Sequence, residues 1–161
     1  MDILMAEDTA AHGKDVCYAV AAMLITEDGN YLLQQRDGTP GIWYPEMLCF
    51  FGGCLEVGED AVAALRRELL EELEFCPPAL TYYSFICYDT AHFGPGIGCR
   101  YVYESQITAS DMEQMTQHEG AGMKLLSPED VLNLKHPIAP VDLQILYVHL
   151  MCCGLVPQPA D

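Results

Sequence analysis

Two apolar runs come first along the chain, Val16 to Ile25 and Tyr31 to Gln35, separated by the polar stretch Glu27-Asp28-Gly29-Asn30. Strand-length runs flanking a turn of that kind predict a β-hairpin. Residues 37–47 carry Gly38, Pro40, Gly41 and Pro45 and predict a loop. Leu48 to Phe51 resumes a short strand, and Gly52-Gly53 then frees the backbone to approach a ligand closely. From about Asp60 to Leu73 the period becomes helical, with Val62, Leu65, Leu69 and Leu73 as an apolar stripe, and Cys76-Pro77-Pro78 ends the helix. Further strands are predicted from Thr81 to Thr90 and from Cys99 to Ile107, around a turn at Phe93 to Gly98, and again from Met123 to Leu126. Ser127-Pro128-Glu129-Asp130 supplies an N-cap, a first-turn proline and first-turn acids, and a last helix is expected from about Val141 to Cys153. This order predicts one domain over 14–154, a central sheet between helical layers, with looser ends at 1–13 and 155–161.

On the polar side of the first helix, Glu68, Glu71 and Glu72 are spaced three and four apart, which returns them to one face. Like charges so placed repel, by a few tenths of a kcal/mol per pair in an isolated helix. A cation between them would explain the arrangement, because hard divalent cations prefer oxygen ligands. The plainer alternative is a solvated amphipathic helix.

The segment Gly53 to Phe75 decides between them: G-C-L-E-V-G-E-D-A-V-A-A-L-R-R-E-L-L-E-E-L-E-F. It resembles the signature of the Nudix hydrolases, with Gly53, Glu59, Arg67, Glu68, Leu69, Glu71 and Glu72 on its register and Phe75 in its last apolar slot. One position departs: the final glycine of the signature is Glu74 here. A glycine there would let the chain leave the helix in a left-handed conformation, which in a glutamate carries roughly 1 kcal/mol of strain. The resemblance implies an α/β/α sandwich with a central mixed β-sheet and hydrolysis of a diphosphate linkage with Mg²⁺ or Mn²⁺. It further implies Glu68 and Glu72 as principal metal ligands, Glu71 as a further or water-mediated one, and the Gly52 carbonyl as a backbone ligand. Glu59 and Arg67 would form an ion pair orienting the cluster; an ordinary surface pair is equally compatible with their spacing.

A diphosphate repels incoming hydroxide, so its hydrolysis needs neutralised oxygens, an aligned water and a base. By the same resemblance Glu119, in Gln117-His118-Glu119-Gly120, is the candidate base or instead a metal ligand; Glu71 and, inside the Tyr101-to-Ile107 strand, Glu104 are the alternative bases, and His118 is a group to polarise the water. An exposed acidic loop is the competing reading. Trp43 and Tyr44 offer stacking surfaces for a nucleobase, or an aromatic plug at a core edge. Arg36 and Arg100 are two of seven basic residues and would contact phosphate or pair with carboxylates. The family spans several nucleoside diphosphate derivatives, of which nucleotide sugars and (d)NTPs are the leading expectation. A catalytically silent Nudix-fold module that senses a nucleotide is the alternative.

Composition narrows the partners. The 161 residues are 51% apolar, enough for a core of ordinary size, and carry a net charge of −17. Such a surface repels a nucleic-acid backbone, so a small phosphorylated ligand is expected and a long nucleic acid is not. Eight cysteines form no C-x-x-C pair and no zinc spacing; they read as reduced core residues, the vicinal Cys152 and Cys153 among them. No apolar run of about 20 residues and no leader pattern is evident, so no membrane is expected and the cytoplasm is the expected location. The apolar stretch Ile145 to Leu155 would serve either as core or as the surface of a homodimer.

Overall fold

A computed structural model describes residues 16–90 and 96–156. Strand β1 (Val16–Thr26) turns through Gly29, at φ 77°, into β2 (Tyr31–Gln35), the predicted hairpin. The two strands pair antiparallel only at Leu24↔Leu32 and Ile25↔Tyr31. Beyond that point the 51–55 segment takes the vacated edge of β1: Val20 N–H donates to Gly53 O at 2.8 Å, Ala22 N–H to Phe51 O at 2.9 Å and Leu55 N–H to Tyr18 O at 3.0 Å. The two glycines are thereby laid against β1. The preceding strand β3 is only Leu48–Cys49, shorter than the expected Leu48 to Phe51, because Phe51 contributes an isolated bridge to Ala22.

Helix α1 (Ala61–Leu73) follows; Asp60 caps it by accepting from the N–H groups of Val62 and Ala63. Strands β4 (Thr81–Asp89) and β5 (Ile97–Ile107) pair antiparallel, and β5 lies parallel to β1 along the full length of both. Strand β5 begins two residues before the expected Cys99, and residues 93–95 of the predicted turn lie outside the described ones. Short α2 (Ala109–Gln114), β6 (Gly122–Leu126), α3 (Pro128–Leu132) and α4 (Pro140–Cys152) complete the chain. The sheet order is β3-β2-β1-β5-β4, with β6 added to β2. It is a mixed sheet.

Alternation along β1 builds two cores. Val20, Ala22 and Leu24 face α1, meeting Leu65, Leu69 and Leu73, whereas Ala21, Met23 and Ile25 face α4, meeting Ile145, Leu146 and Leu150. A strand buried on both faces reads as a continuous apolar run, as this one does. The layering is the expected α/β/α sandwich. The 1–13 segment lies outside the described residues; of the C-terminal tail, Leu155 is tied back by its N–H to Leu150 O at 2.9 Å.

The cysteines depart from expectation. Cys87 and Cys99, opposite each other on β4 and β5, are joined as a disulfide. Cys17, Cys54, Cys152 and Cys153 are exposed, leaving Cys49 as the buried thiol among the free cysteines of the described residues. Though exposed at the end of α4, Cys153 has its sulfur within 4 Å of the His149 ring. In the same stretch Ile145, Leu146 and Leu150 are core, while Val148, Met151 and Leu155 are exposed. No helix among the described residues is long and apolar enough to cross a membrane.

Candidate active site

Helix α1 presents the three carboxylates in three different environments. Glu71 is exposed, Glu68 half-buried, and Glu72 only 4% exposed, buried beside Leu69 and Leu73. The Glu72 carboxylate accepts from Gly52 N–H at 2.9 Å and from Gln34 Nε2 at 3.3 Å. Both donors are neutral, and its charged neighbours Glu119 and Glu68 are acids. Burial, with a smaller contribution from those charges, pushes the Glu72 carboxyl up to about 8. Burial raises Glu68 too, against the opposing pull of Arg67.

Glu59 and Arg67 pair as the resemblance implied. Arg67 Nε and Nη2 donate to the two Glu59 oxygens at 3.1 and 3.0 Å, a two-pronged contact that lowers the Glu59 carboxyl and raises the guanidinium. The other face of Arg67 reaches Glu68 at 2.8 Å, Glu71 at 3.4 Å and the Cys54 carbonyl at 3.1 Å. One guanidinium therefore connects the start of the glycine loop to the helix. Gly53 is pressed against this assembly: a Cβ there would lie 2.5 Å from the Glu68 carboxyl. At Gly52, φ is 135° and a Cβ would meet Val20 O at 2.2 Å. Its N–H is the group the structure engages, toward Glu72.

Among the described residues no three histidine, cysteine or acidic side chains already close around one point as a metal cage. Glu68 is drawn to Arg67 and Glu72 to Gly52 and Gln34. Their chemistry nevertheless fits a divalent cation: a buried carboxylate with acidic neighbours and no cationic partner of its own is what such an ion relieves.

Glu119 lies near enough to Glu68 and Glu72 to raise both. It borders a cleft of about 400 Å³ with Arg36, Asp37, Thr39, Ile42 and His118. Arg36 Nε is buried with no hydrogen-bond partner, and its guanidinium lies near the Cys49 thiol and Asp142. Gln34, unremarked in the sequence, connects the parts by donating to both Glu72 and the Glu119 carbonyl. Its only signal is two glutamines, Gln34 and Gln35, ending an otherwise apolar strand.

The remaining candidates lie elsewhere. Glu104 is on the α4 face of β5, with His149 Nε2 3.7 Å away, and does not join the carboxylates of α1. As an alternative base it has no place beside them, because the alternation of β5 puts it with Val102 on the opposite side of the sheet. Arg100 points to that side as well and pairs with buried Asp142, whose other oxygen accepts from Phe50 N–H at 3.3 Å. Tyr44, at φ 54°, lies near Arg100 and Asp142; neither it nor half-buried Trp43 borders the Glu119 cleft.

The model of the NUDIX domain matches residues 17–147 of the sequence. The chain belongs to the Nudix family. With that membership it is a hydrolase of the pyrophosphohydrolase kind. Solved structures share its fold. The MutT protein from Methanosarcina mazei Go1 is 15% identical, with a TM-score of 0.71 over 88% of this chain and 97% of that one. The ORF135 protein of E. coli is 26% identical, with a TM-score of 0.65 over 91% and 96%. The NUDIX domain of Shewanella oneidensis NrtR, described in complex with ADP ribose, is 19% identical, with a TM-score of 0.69 over 87% and 90%. A search of the curated proteins gives no match.

Proposed function

We propose that this Nudix chain hydrolyses the diphosphate linkage of a small nucleoside diphosphate derivative, a nucleotide sugar or a (d)NTP, with Mg²⁺ or Mn²⁺ as cofactor. The observation that carries the reading is Glu72: a carboxylate 4% exposed, held by two neutral donors, with acids as its charged neighbours. Glu68 and Glu72 would hold the ion, with Glu71 at the exposed edge of the set. The ion supplies charge neutralisation at the diphosphate oxygens and acidifies a bound water. Glu119 takes the proton of the attacking water at its carboxylate, from a position beside Glu68 and Glu72. Arg36, which lines the same cleft, holds a substrate phosphate. Arg67 keeps Glu68 in place from the Glu59 side, and Gln34 keeps Glu72 and the Glu119 segment together.

The complete carboxylate set argues for turnover over a silent sensor. Among solved structures of similar fold, the Shewanella NUDIX domain is described with ADP ribose, and a Francisella tularensis protein as a bifunctional NMN adenylyltransferase/ADP ribose pyrophosphatase. ADP-ribose therefore belongs in the test panel with nucleotide sugars, (d)NTPs and dinucleotides. The experiment is phosphate release with Mg²⁺ and then Mn²⁺, with pyrophosphatase or phosphatase added to reveal each product. A hit lost with EDTA and in Glu72→Gln supports the reading. Silence across the panel, with ligand-dependent thermal stabilisation retained, replaces it with the binding module.

A further inference from the structure

Glu74 occupies the place of the last glycine in the Nudix signature, yet it keeps the conformation that favours glycine. Its backbone is left-handed, φ 50° and ψ 19°, and its N–H donates to Leu70 O at 3.0 Å. A glycine adopts that geometry without strain and a glutamate does not. The glutamate makes a contact that glycine cannot: its Oε1 lies 2.7 Å from His118 Nε2.

His118 belongs to a segment tied to the same helix end. Thr116 N–H donates to Leu73 O at 2.8 Å and His118 N–H to Glu72 O at 2.9 Å, satisfying carbonyls that a helix C-terminus leaves unpaired. On its far side the segment is tied to β2, by Ala121 N–H to Gln35 O at 2.8 Å and by Gln34 Nε2 to Glu119 O at 3.4 Å. Glu119 sits between these two fastenings, and the Glu74–His118 contact is the side-chain part of the first.

We propose that Glu74 is a positioning residue: through His118 it clamps the 116–120 segment onto the end of α1 and so holds Glu119 against Glu68 and Glu72. The proposal rests on the function proposed above in one respect, that Glu119 acts on substrate at the carboxylates. Glu74 and His118 are 59% and 47% exposed, so their pair adds little to global stability. A segment that opens locally is more sensitive, because a small bias changes how much of it is closed.

The two contributions separate in Glu74→Gly, which relieves the backbone strain and deletes the clamp. Its thermal midpoint should equal or exceed that of the unaltered chain while kcat falls about fivefold with KM little changed, the upper end for an exposed pair. Glu74→Gln, which keeps an acceptor for His118, should retain most of kcat. His118→Ala should match Glu74→Gly, and the double variant should be no worse than either. Independently of turnover, amide hydrogen exchange at residues 116–120 should accelerate about fivefold in Glu74→Gly and His118→Ala, with the amides of α1 unchanged. If the unaltered chain hydrolyses nothing, the function fails and the clamp is judged on exchange alone. Unchanged exchange overturns the proposal, as does faster exchange with unchanged kcat in an active enzyme. A fall in kcat matched by a fall in thermal midpoint would also overturn it, because Glu74 would then be merely structural.

Discussion

Glu72 is a carboxyl that, at neutral pH and without a cation, keeps its proton: burial and the acids around it push it up to about 8. In the unfolded chain it ionises near its ordinary value, so between about pH 4.5 and 8 the folded state binds more protons than the unfolded one. The Glu72 contribution to the stability of the metal-free protein therefore falls as pH rises through that window, by a few kcal/mol at most. Glu59 and Asp37 have the opposite sign in more acidic solution, and His149, lowered by burial, has it up to its ordinary value, so the Glu72 share is the difference between the unaltered chain and Glu72→Gln. Urea unfolding in EDTA from pH 5.5 to 8.5 measures the slope, and Glu72→Gln should flatten most of it. The same variant, with metal and substrate, should lose about a thousandfold or more in kcat, the scale expected when a principal ligand is removed. The carboxylates of α1 were legible because helical periodicity is a local property: three glutamates at spacings of three and four share a side whatever the rest of the chain does. Gln34 was not, since its partner Glu72 is 38 positions away and the contact exists only once β2 lies beside α1.

At the scale of elements, the glycine loop and α1 act as one unit held together by Arg67. Gly53→Ala tests that unit: the added methyl must displace the Glu68 carboxyl, now 2.5 Å from the Cβ position. The neighbour is a side chain able to move, so the fold should persist with a thermal midpoint within a few degrees. Affinity for Mn²⁺, read by calorimetry, should weaken about tenfold or more, as when a supporting contact of a metal site is lost. Unchanged affinity would separate Glu68 from the metal. The strong elements, β1, β2 and α1, were readable from their apolar patterns. Helix α2 was missed because none of its six residues is buried, which leaves no apolar stripe to find. The Cys87–Cys99 disulfide was missed for a different reason: it depends on the register of β4 against β5, which cysteine spacing alone does not reveal.

Across the whole molecule the sheet separates two chemistries. The α1 side carries the carboxylates, and the α4 side buries an ion pair of its own, Arg100 with Asp142. Asp142→Ala leaves the largely buried guanidinium without its partner and frees Phe50 N–H, so it should cost about 3–5 kcal/mol in denaturant unfolding. A loss below about 1 kcal/mol would mean that water reaches Arg100 freely. The sequence offered Arg100 as a phosphate ligand because so few cations were available. Which acid it would meet depended on where α4 crosses the sheet.

The parallel match of β1 with β5 also sets an order of events. On a ribosome β1 is the first described strand to appear, yet Val16 waits for Ile97 and Thr26 for Ile107 before that ladder closes. Until then an eleven-residue strand that ends up buried over most of its length has only the short β2 pairing and the 51–55 segment for company. Its assembly is governed by a distant closure, so nascent chains truncated before Ile97 should be sticky, protease-sensitive and dependent on chaperones.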